Sequence, residues 1–335
     1  MSTILITGAG GLVGATTSGY FHGQGYRIVG VDNNPRSDVH ELSSSLTNFV
    51  RCHADVRDEP SLLKIFVDYG RDVKAIIHCA ARKAYGGNAD EYFQVNTAGT
   101  INMLDLWCRY CPSAVFVYPS TIKVYNDFPN TLNYHSFDSR FDLDSSHQYY
   151  NGFDESLPID QGASNFYGRS KAAADLFVQE YVYQYGLHAV CLRASCLVGS
   201  QNTAVETRGM LSQIMYCTYT GTPYSIYGYG GLQVRDQLYV GDLVKAFHRV
   251  ISKSKGVVYN IGGGRPNACS IREAIAHCEE ITGNRLEHSS HSKRTGDHCW
   301  WITNNVKFTE DYPGWKVGVG LDEMLQGIYS SYTGH

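Results

Sequence analysis

Two residues of complementary chemistry, Tyr167 and Lys171, stand four positions apart in the stretch YGRSK. On a helix that spacing puts both side chains on one face, where the ammonium can stabilise the phenol as a phenolate. A phenolate held beside a cation is a base able to take a proton from a hydroxyl group. A second stretch, PSTIKVYN (Pro119–Asn126), offers Ser120 and Thr121 at the end of an apolar run, with Lys123 two residues on. Thr121 would hydrogen-bond the oxygen that loses its proton. A lone YxxxK is common by chance, and on an open surface it means nothing, so the elements that place these residues decide their value.

The first half of the chain alternates short apolar runs with amphipathic stretches. TILIT is followed by a helix over about Val13–His22, then RIVGVD, a helix near Pro60–Tyr69, AIIHCA, a helix near Asn96–Tyr110, and AVFVYPS. Strands that are apolar throughout and separated by helices imply a parallel sheet covered on both faces, a doubly wound α/β architecture. After a polar, aromatic segment (Asn126–Gly162) come a strong helix, SKAAADLFVQEYVYQYG, and the strand HAVCLRAS. From about Cys196 the pattern loosens into Gly- and Tyr-rich loops and short elements, which predicts a smaller C-terminal lobe. The expected division is 1–195 plus about 236–263 for the sheet domain, and about 196–235 plus 264–335 for the lobe.

In TILITGAGGLVG, Gly8, Gly11 and Gly14 take a GxxGxxG spacing at a strand-to-helix turn. Gly8 lets the chain turn tightly, Gly11 lets backbone N–H groups approach a pyrophosphate, and Gly14 allows close helix–strand packing. The next strand ends in Asp32, 18 residues after Gly14. A carboxylate there accepts hydrogen bonds from a ribose diol and repels a 2′-phosphate, which favours NAD over NADP; Arg36 nearby keeps NADP open. Leu12, Val13, Asn33 and Asn96 join this cofactor site, as does Lys171 through the cofactor ribose. Asp55 and Val56 suit the adenine ring. Ala80 and Ala81 lie beside the cofactor, although tight helix–sheet packing would equally explain two alanines.

The composition excludes other classes. Among 335 residues, 43% hydrophobic, the formal net charge is −4, and no run of Lys and Arg exceeds two. Such a chain has no electrostatic footprint for nucleic acid or an anionic membrane. No apolar stretch approaches the ~18 residues of a membrane span, and STILITG lacks a basic leader region, so a cytoplasmic enzyme is expected. The ten cysteines fall irregularly and read as reduced core residues. Cys108 and Cys111 have metal spacing inside a helical pattern with no second ligand pair, and His288 and His291 sit in a polar setting read as a surface loop. No metal is expected.

Taken in order, the glycine turn, the acidic strand end, the Ser-Thr strand end and the Tyr/Lys helix resemble the extended short-chain dehydrogenase/reductase family across essentially the whole chain. LRASCLVG (Leu192–Gly199), QVRDQLYVGDL (Gln233–Leu243) and YNIGGG (Tyr259–Gly264) look like markers of its sugar-nucleotide-modifying branch. The resemblance implies a Rossmann-type domain, NAD, a nucleotide-diphosphate sugar substrate linked to CDP, UDP or GDP, and Arg235 and Arg294 on its diphosphate. Arg82, Lys123, Cys196 and Asp297 complete the implied substrate site. For Arg235 an ion pair with Asp236 or Asp242 is the structural alternative. Family members commonly dimerise through two helices per subunit, here those near Asn96–Tyr110 and Ser170–Tyr185.

Related 4,6-dehydratases carry an Asp-Glu acid–base pair after the Ser-Thr, where this chain has Ile122 and Lys123. An aliphatic chain transfers no proton and an ammonium abstracts none, so loss of water is disfavoured. The stretch instead resembles the Ser-Thr-Asn-Lys-Val-Tyr-Gly of the CDP-tyvelose (CDP-paratose) 2-epimerase subgroup, as do VGVDNNPR, YNGFDESLPIDQ, AADLFVQEY, GYGGLQVRD and TGDHCWWI. That implies an epimerase inverting C2, or C4 if it behaves like the commoner hexose epimerases, through a transient keto-sugar with NAD regenerated. A non-catalytic NAD-binding sensor is the alternative of another class. Ile122, Asn126 and Arg82 depart from the subgroup pattern. Arg82 and Lys123 would make the sugar pocket more cationic, unless Lys123 is simply solvated or paired with a loop carboxylate.

Overall fold

The computed structural model describes residues 1–34, 45–84, 86–160, 162, 164–199 and 209–334. Arg36, with Pro35 and Gln161 of the quoted motifs, lies outside the described residues. The central sheet is built from β1 (Thr3–Thr7), β2 (Arg27–Asp32), β3 (Phe49–His53), β4 (Val73–His78), β5 (Val115–Thr121), β6 (Ala189–Ala194) and β7 (Val258–Ile261), in the spatial order β7-β6-β5-β4-β1-β2-β3. β1 pairs in parallel with β2 and β4, β2 with β3, and β4 with β5. The strand order reverses between β1 and β4, and in such sheets the crevice beyond their carboxyl ends is where ligands bind. Every residue of β1 is buried, which is why its sequence runs apolar instead of alternating.

The helices that serve this sheet are α1 (Leu12–Gly23), α2 (Glu59–Tyr69), α3 (Gly99–Tyr110), α4 (Phe166–Tyr185) and α5 (Val240–Ser252). α2 starts where Asp58 accepts from the Ser61 N–H and Pro60 occupies the first turn. α3 continues a short turn, Ala89–Tyr92, and a π-helical segment, Phe93–Ala98. The sequence pattern places one helix from about Asn96; the wide π turn has no apolar periodicity of its own to announce it. Leu5, Ile76, Met103, Trp107 and Phe116 are central to the buried core.

The chain divides into two compact units, 1–124, 166–193 and 244–259 in the first, and 125–165, 194–243 and 260–335 in the second. Residues 125–165, 194–195, 236–243 and 260–263, expected with the sheet domain, belong to the second unit. For 125–165 the reason is aromatic. The Phe153 ring packs on Trp300 and Trp301 at 5.3 and 5.0 Å, Tyr134 on Trp300 at 6.0 Å, and Tyr149 on Phe153 at 5.0 Å. The Phe153 N–H also donates to the Ile302 carbonyl at 2.8 Å.

Within the second unit, strand Val234–Tyr239 runs antiparallel to Ala268–Ser270 and parallel to Trp300–Trp301 and Cys196–Val198. Helices Met210–Thr220, Ile271–Thr282 and Leu321–Thr333 share a core that includes Ile214, Ile275 and Leu325. The second of these is fixed by a reciprocal Ser270/Glu273 capping box and ends at Gly283 in the left-handed conformation. His288–His291, read as a loop, is an exposed strand paired with Tyr224–Tyr227. No described helix is long and apolar enough to cross a membrane.

Candidate active site

The turn after β1 is shaped by two close approaches. Gly8 has φ +64°, and a Cβ on it would lie 2.7 Å from the Ala80 nitrogen; a Cβ on Gly14 would lie 2.1 Å from the Gly8 carbonyl oxygen. Only glycine permits both the backbone conformation at Gly8 and the helix–strand contact at Gly14. Gly11 is the N-cap of α1, and its own N–H donates to the Gly8 carbonyl at 3.0 Å. With the Gly11 N–H so used, the donors free to meet an anion here are the first-turn N–H groups of Leu12, Val13 and Gly14, which have no partner within the helix. The helix start has no side-chain cap and no acidic residue in its first turn. It is a bare positive helix end, suited to a pyrophosphate.

Asp32 closes β2 with each carboxylate oxygen holding one backbone donor, Gly10 N–H at 2.9 Å and Asn34 N–H at 2.8 Å. One acceptor site per oxygen is left for a ribose diol. Asn33 donates to Asp55 at 2.8 Å, and Arg57 grips the same carboxylate at 2.9 and 2.7 Å. That guanidinium holds the Asp55 carboxyl well below its usual range. Val56 is buried, its carbonyl accepting from Asn102 at 2.9 Å. Ala80 is half-buried and donates to the Thr7 hydroxyl at 3.2 Å, while Ala81 is exposed. Asn96 spends its amide on protein, accepting from the Arg82 N–H at 2.7 Å and donating to the Ser170 hydroxyl at 2.9 Å. The π segment presents it to the first turns of α4, with Thr97 bonded to the Ser170 carbonyl at 3.0 Å.

Tyr167 and Lys171 share α4, as the spacing predicts. Tyr167 is half-buried with its ring edge-on to Tyr92 at 6.2 Å. Lys171 is buried, donates to the Pro119 carbonyl at 2.8 Å and lies 4.0 Å above the Tyr118 ring. Burial pushes its ammonium down to about 8, against the opposing pull of Asp175. Thr121, the last residue of β5, is half-buried and accepts from the Lys123 N–H at 3.3 Å. Ser120 is buried and donates to Asp175 at 2.6 Å. Lys123 is half-buried in a short turn between buried Ile122 and Val124. Arg82 is paired with Glu91 at 3.1 Å and with the Gly86 carbonyl at 2.8 Å, so its charge is largely offset.

The remaining substrate candidates lie in the second unit. Arg235 is buried and donates to the Val234 carbonyl at 2.7 Å, to Asp297 at 3.2 Å and to the His298 carbonyl. Neither Asp236 nor Asp242 takes it. Asp236 accepts from Gly264 N–H at 3.0 Å, and Asp242 from Gly318 and Val319 N–H at 2.8 and 3.1 Å. Arg294 is exposed and stacks over the Tyr227 ring at 3.7 Å. Cys196 is half-buried and pairs in register with Gln237. The sequence reading missed Asp175 and Arg193, bonded at 2.9 Å beneath the Tyr/Lys face. An acidic residue four positions after Lys171 was the available signal.

The model of the NAD dependent epimerase/dehydratase family matches residues 4–262. The chain is 28% identical to the CDP-paratose 2-epimerase of Salmonella typhi, over 97% of this chain and 98% of that protein. It is 27% identical to the dTDP-glucose 4,6-dehydratase of Neisseria meningitidis serogroup B, over 96% and 86%. The crystal structure of the Thermus thermophilus UDP-glucose 4-epimerase with NAD shares the fold, with TM-score 0.81, 22% identity and coverage of 99% of both chains.

Proposed function

The chain belongs to the NAD-dependent epimerase/dehydratase family, and from that premise we propose that it is an epimerase of a nucleotide-diphosphate sugar, acting at C2. The observation that carries this reading is the pair that follows Thr121: Ile122, buried, and Lys123. Elimination of water needs a proton donor and a proton acceptor near the sugar, and neither side chain is both available and competent for it. A mechanism confined to one carbon needs only the base at Tyr167. The 28% identity to a CDP-paratose 2-epimerase over 97% of the chain supports C2; C4 is the second reading, supported by 26% identity to the UDP-glucose 4-epimerase 2 of Arabidopsis thaliana over 98% of the chain.

The cradle at Gly8, Leu12, Val13 and Gly14, with Asp32 across from it, fits the diphosphate and adenosine ribose of NAD. When bound, NAD takes up a hydride and later returns it. Tyr167 as phenolate takes the proton from the sugar hydroxyl, and Thr121 hydrogen-bonds the same oxygen. Lys171 stays in place on Pro119 and supplies the positive charge that makes the phenolate accessible near neutral pH. The transient keto-sugar turns over before the proton returns from Tyr167 on restoration of the alcohol, and the configuration is inverted. Arg235 acts by holding the Asp297–His298 segment in place, and Arg294 reaches for the substrate diphosphate. The protein works as a homodimer through α3 and α4.

The test is NMR analysis of the sugar after incubation of the protein and NAD with CDP-, UDP- and GDP-hexoses and their deoxy forms. A product inverted at C2 is expected. Inversion at C4 moves the carbon and keeps the base, whereas a dehydrated 4-keto-6-deoxy product overturns the reading of Ile122 and Lys123.

A further inference from the structure

Beneath the Tyr167/Lys171 face lies a closed polar cluster that the reaction as proposed does not use. Asp175 follows Lys171 by one helical turn and is fully buried. One carboxylate oxygen accepts from Ser120 Oγ at 2.6 Å and Arg193 Nε at 3.1 Å; the other accepts from Arg193 Nη2 at 2.9 Å and Gln179 Nε2 at 2.7 Å. All four acceptor sites of the carboxylate are filled, by donors from β5, β6 and α4 itself. We propose that Asp175 is a positioning residue for the Tyr167/Lys171 pair: through Arg193 and Ser120 it fixes the height of α4 on β5 and gives the buried Lys171 ammonium its counter-charge. The inference rests on the reading of that pair as the base and its cation.

Two bonds join α4 to the end of β5, and they land on consecutive residues: Lys171 on the Pro119 carbonyl and Asp175 on Ser120. Thr121 is the next residue along. A shift of α4 that breaks one bond breaks the other, so Tyr167 and Thr121 keep one mutual register. A misplacement of about 1 Å between reacting groups is enough to cost roughly 100-fold in rate, which makes such a clamp worth a buried charge pair.

The charges agree with the geometry. Lys171 is faced by His78 and Cys79 from β4 and just beyond it, by the Tyr118 ring and Pro119 carbonyl of β5, and by Cys191 of β6, while Arg193 of β6 is bonded to Asp175 at 2.9 Å. Burial keeps His78 neutral, held down at about 3, and keeps the Cys79 and Cys191 thiols protonated. Among these groups and Asp175, the one carboxyl group is that of Asp175. Lys171, Asp175 and Arg193 together leave one net positive charge under the phenol, the sign that favours a phenolate.

The experiment is a pH titration of the Lys171 ammonium by NMR in the full-length, ¹⁵N-lysine-labelled protein, with kcat measured on the nucleotide sugar that the product panel identifies. Asp175→Asn is expected to lower the Lys171 midpoint and to reduce kcat roughly tenfold or more. Arg193→Gln is expected to raise the midpoint, and the double variant to bring it back toward the parent. Single-variant midpoints that stay still, or that move the same way, overturn the proposal, since a merely structural pair has no reason to shift Lys171 in opposite directions. If either single variant fails to fold, Ser120→Ala decides: it keeps both charges and is expected to lower kcat several-fold with KM and the Lys171 midpoint unmoved, and parent kcat overturns the clamp. Full turnover in Tyr167→Phe would instead take down the base reading itself, while the NMR midpoints still report on the charge coupling.

Discussion

At the scale of the residue, the proposed chemistry comes down to a phenol one helical turn from a buried cation. Replacing Tyr167 by Phe removes the proposed proton acceptor and nothing that touches the glycine turn. Turnover is expected to fall by at least ~100-fold, the ordinary worth of a positioned base, with NAD affinity by calorimetry unchanged. A variant that keeps its rate has its base elsewhere. Asp236 makes a different kind of prediction. It is fully buried, and burial pushes its carboxyl from 3.8 up to about 6. Between those values the folded chain keeps a proton that the unfolded chain has released, so stability falls as pH rises through that window, by about 3 kcal/mol in all. Asp236→Asn has no proton to lose, so its stability above pH 6 should exceed the parent's and its denaturant curves should lack that slope. Parallel pH dependences for the two proteins would show that Asp236 does not titrate in the window.

The elements explain why the residues sit where they do. α4 buries Gly168, Lys171, Ala174, Asp175 and Val178 on one side and exposes Phe166, Leu176, Phe177 and Tyr183 on the other. A helix with apolar residues on its outward side needs a partner surface, and a second copy is the one the proposal names. Leu176→Glu with Phe177→Glu is expected to convert a sedimenting dimer to a monomer. If the parent itself sediments as a monomer, the helix face has another use. The π segment Phe93–Ala98 shows why the helix that ends at Tyr110 was read as starting near Asn96. It widens the backbone so that Asn96 and Thr97 both reach Ser170, and such a turn has no residue signature. The capping signals, by contrast, are local: Asp58 and Pro60 start α2, and Ser270 with Glu273 starts the helix Ile271–Thr282, as those residue types and spacings require.

For the whole molecule, the cofactor choice is the accessible test. Ligand present at about 100 times its Kd stabilises a protein by about 2.7 kcal/mol, so NAD should raise the thermal midpoint where equimolar NADP does not. Equal rises would mean that Asp32 does not exclude a 2′-phosphate. The alternation of strands and helices in the first half, the glycine turn, the acidic end of β2 and the Tyr/Lys pair were all legible in the sequence, because each rests on period, spacing or backbone conformation within a few residues. The division of the chain was not. Residues 125–165 join the second unit through Phe153 on Trp300 and Trp301 and Tyr134 on Trp300, partners more than 140 residues downstream that no local pattern announces. Nor were the partners of the charged residues. Arg82 met Glu91, Arg235 met Asp297, and Asp175 met Arg193 across the sheet, since an ion pair is made by whichever charges folding brings within about 3 Å. The sequence by itself determined the fold class, the cofactor turn and the candidate base, all short-range matters of sterics and helical geometry. Only the tertiary structure decided which charges pair with one another, because desolvation and pairing depend on neighbours distant in the chain.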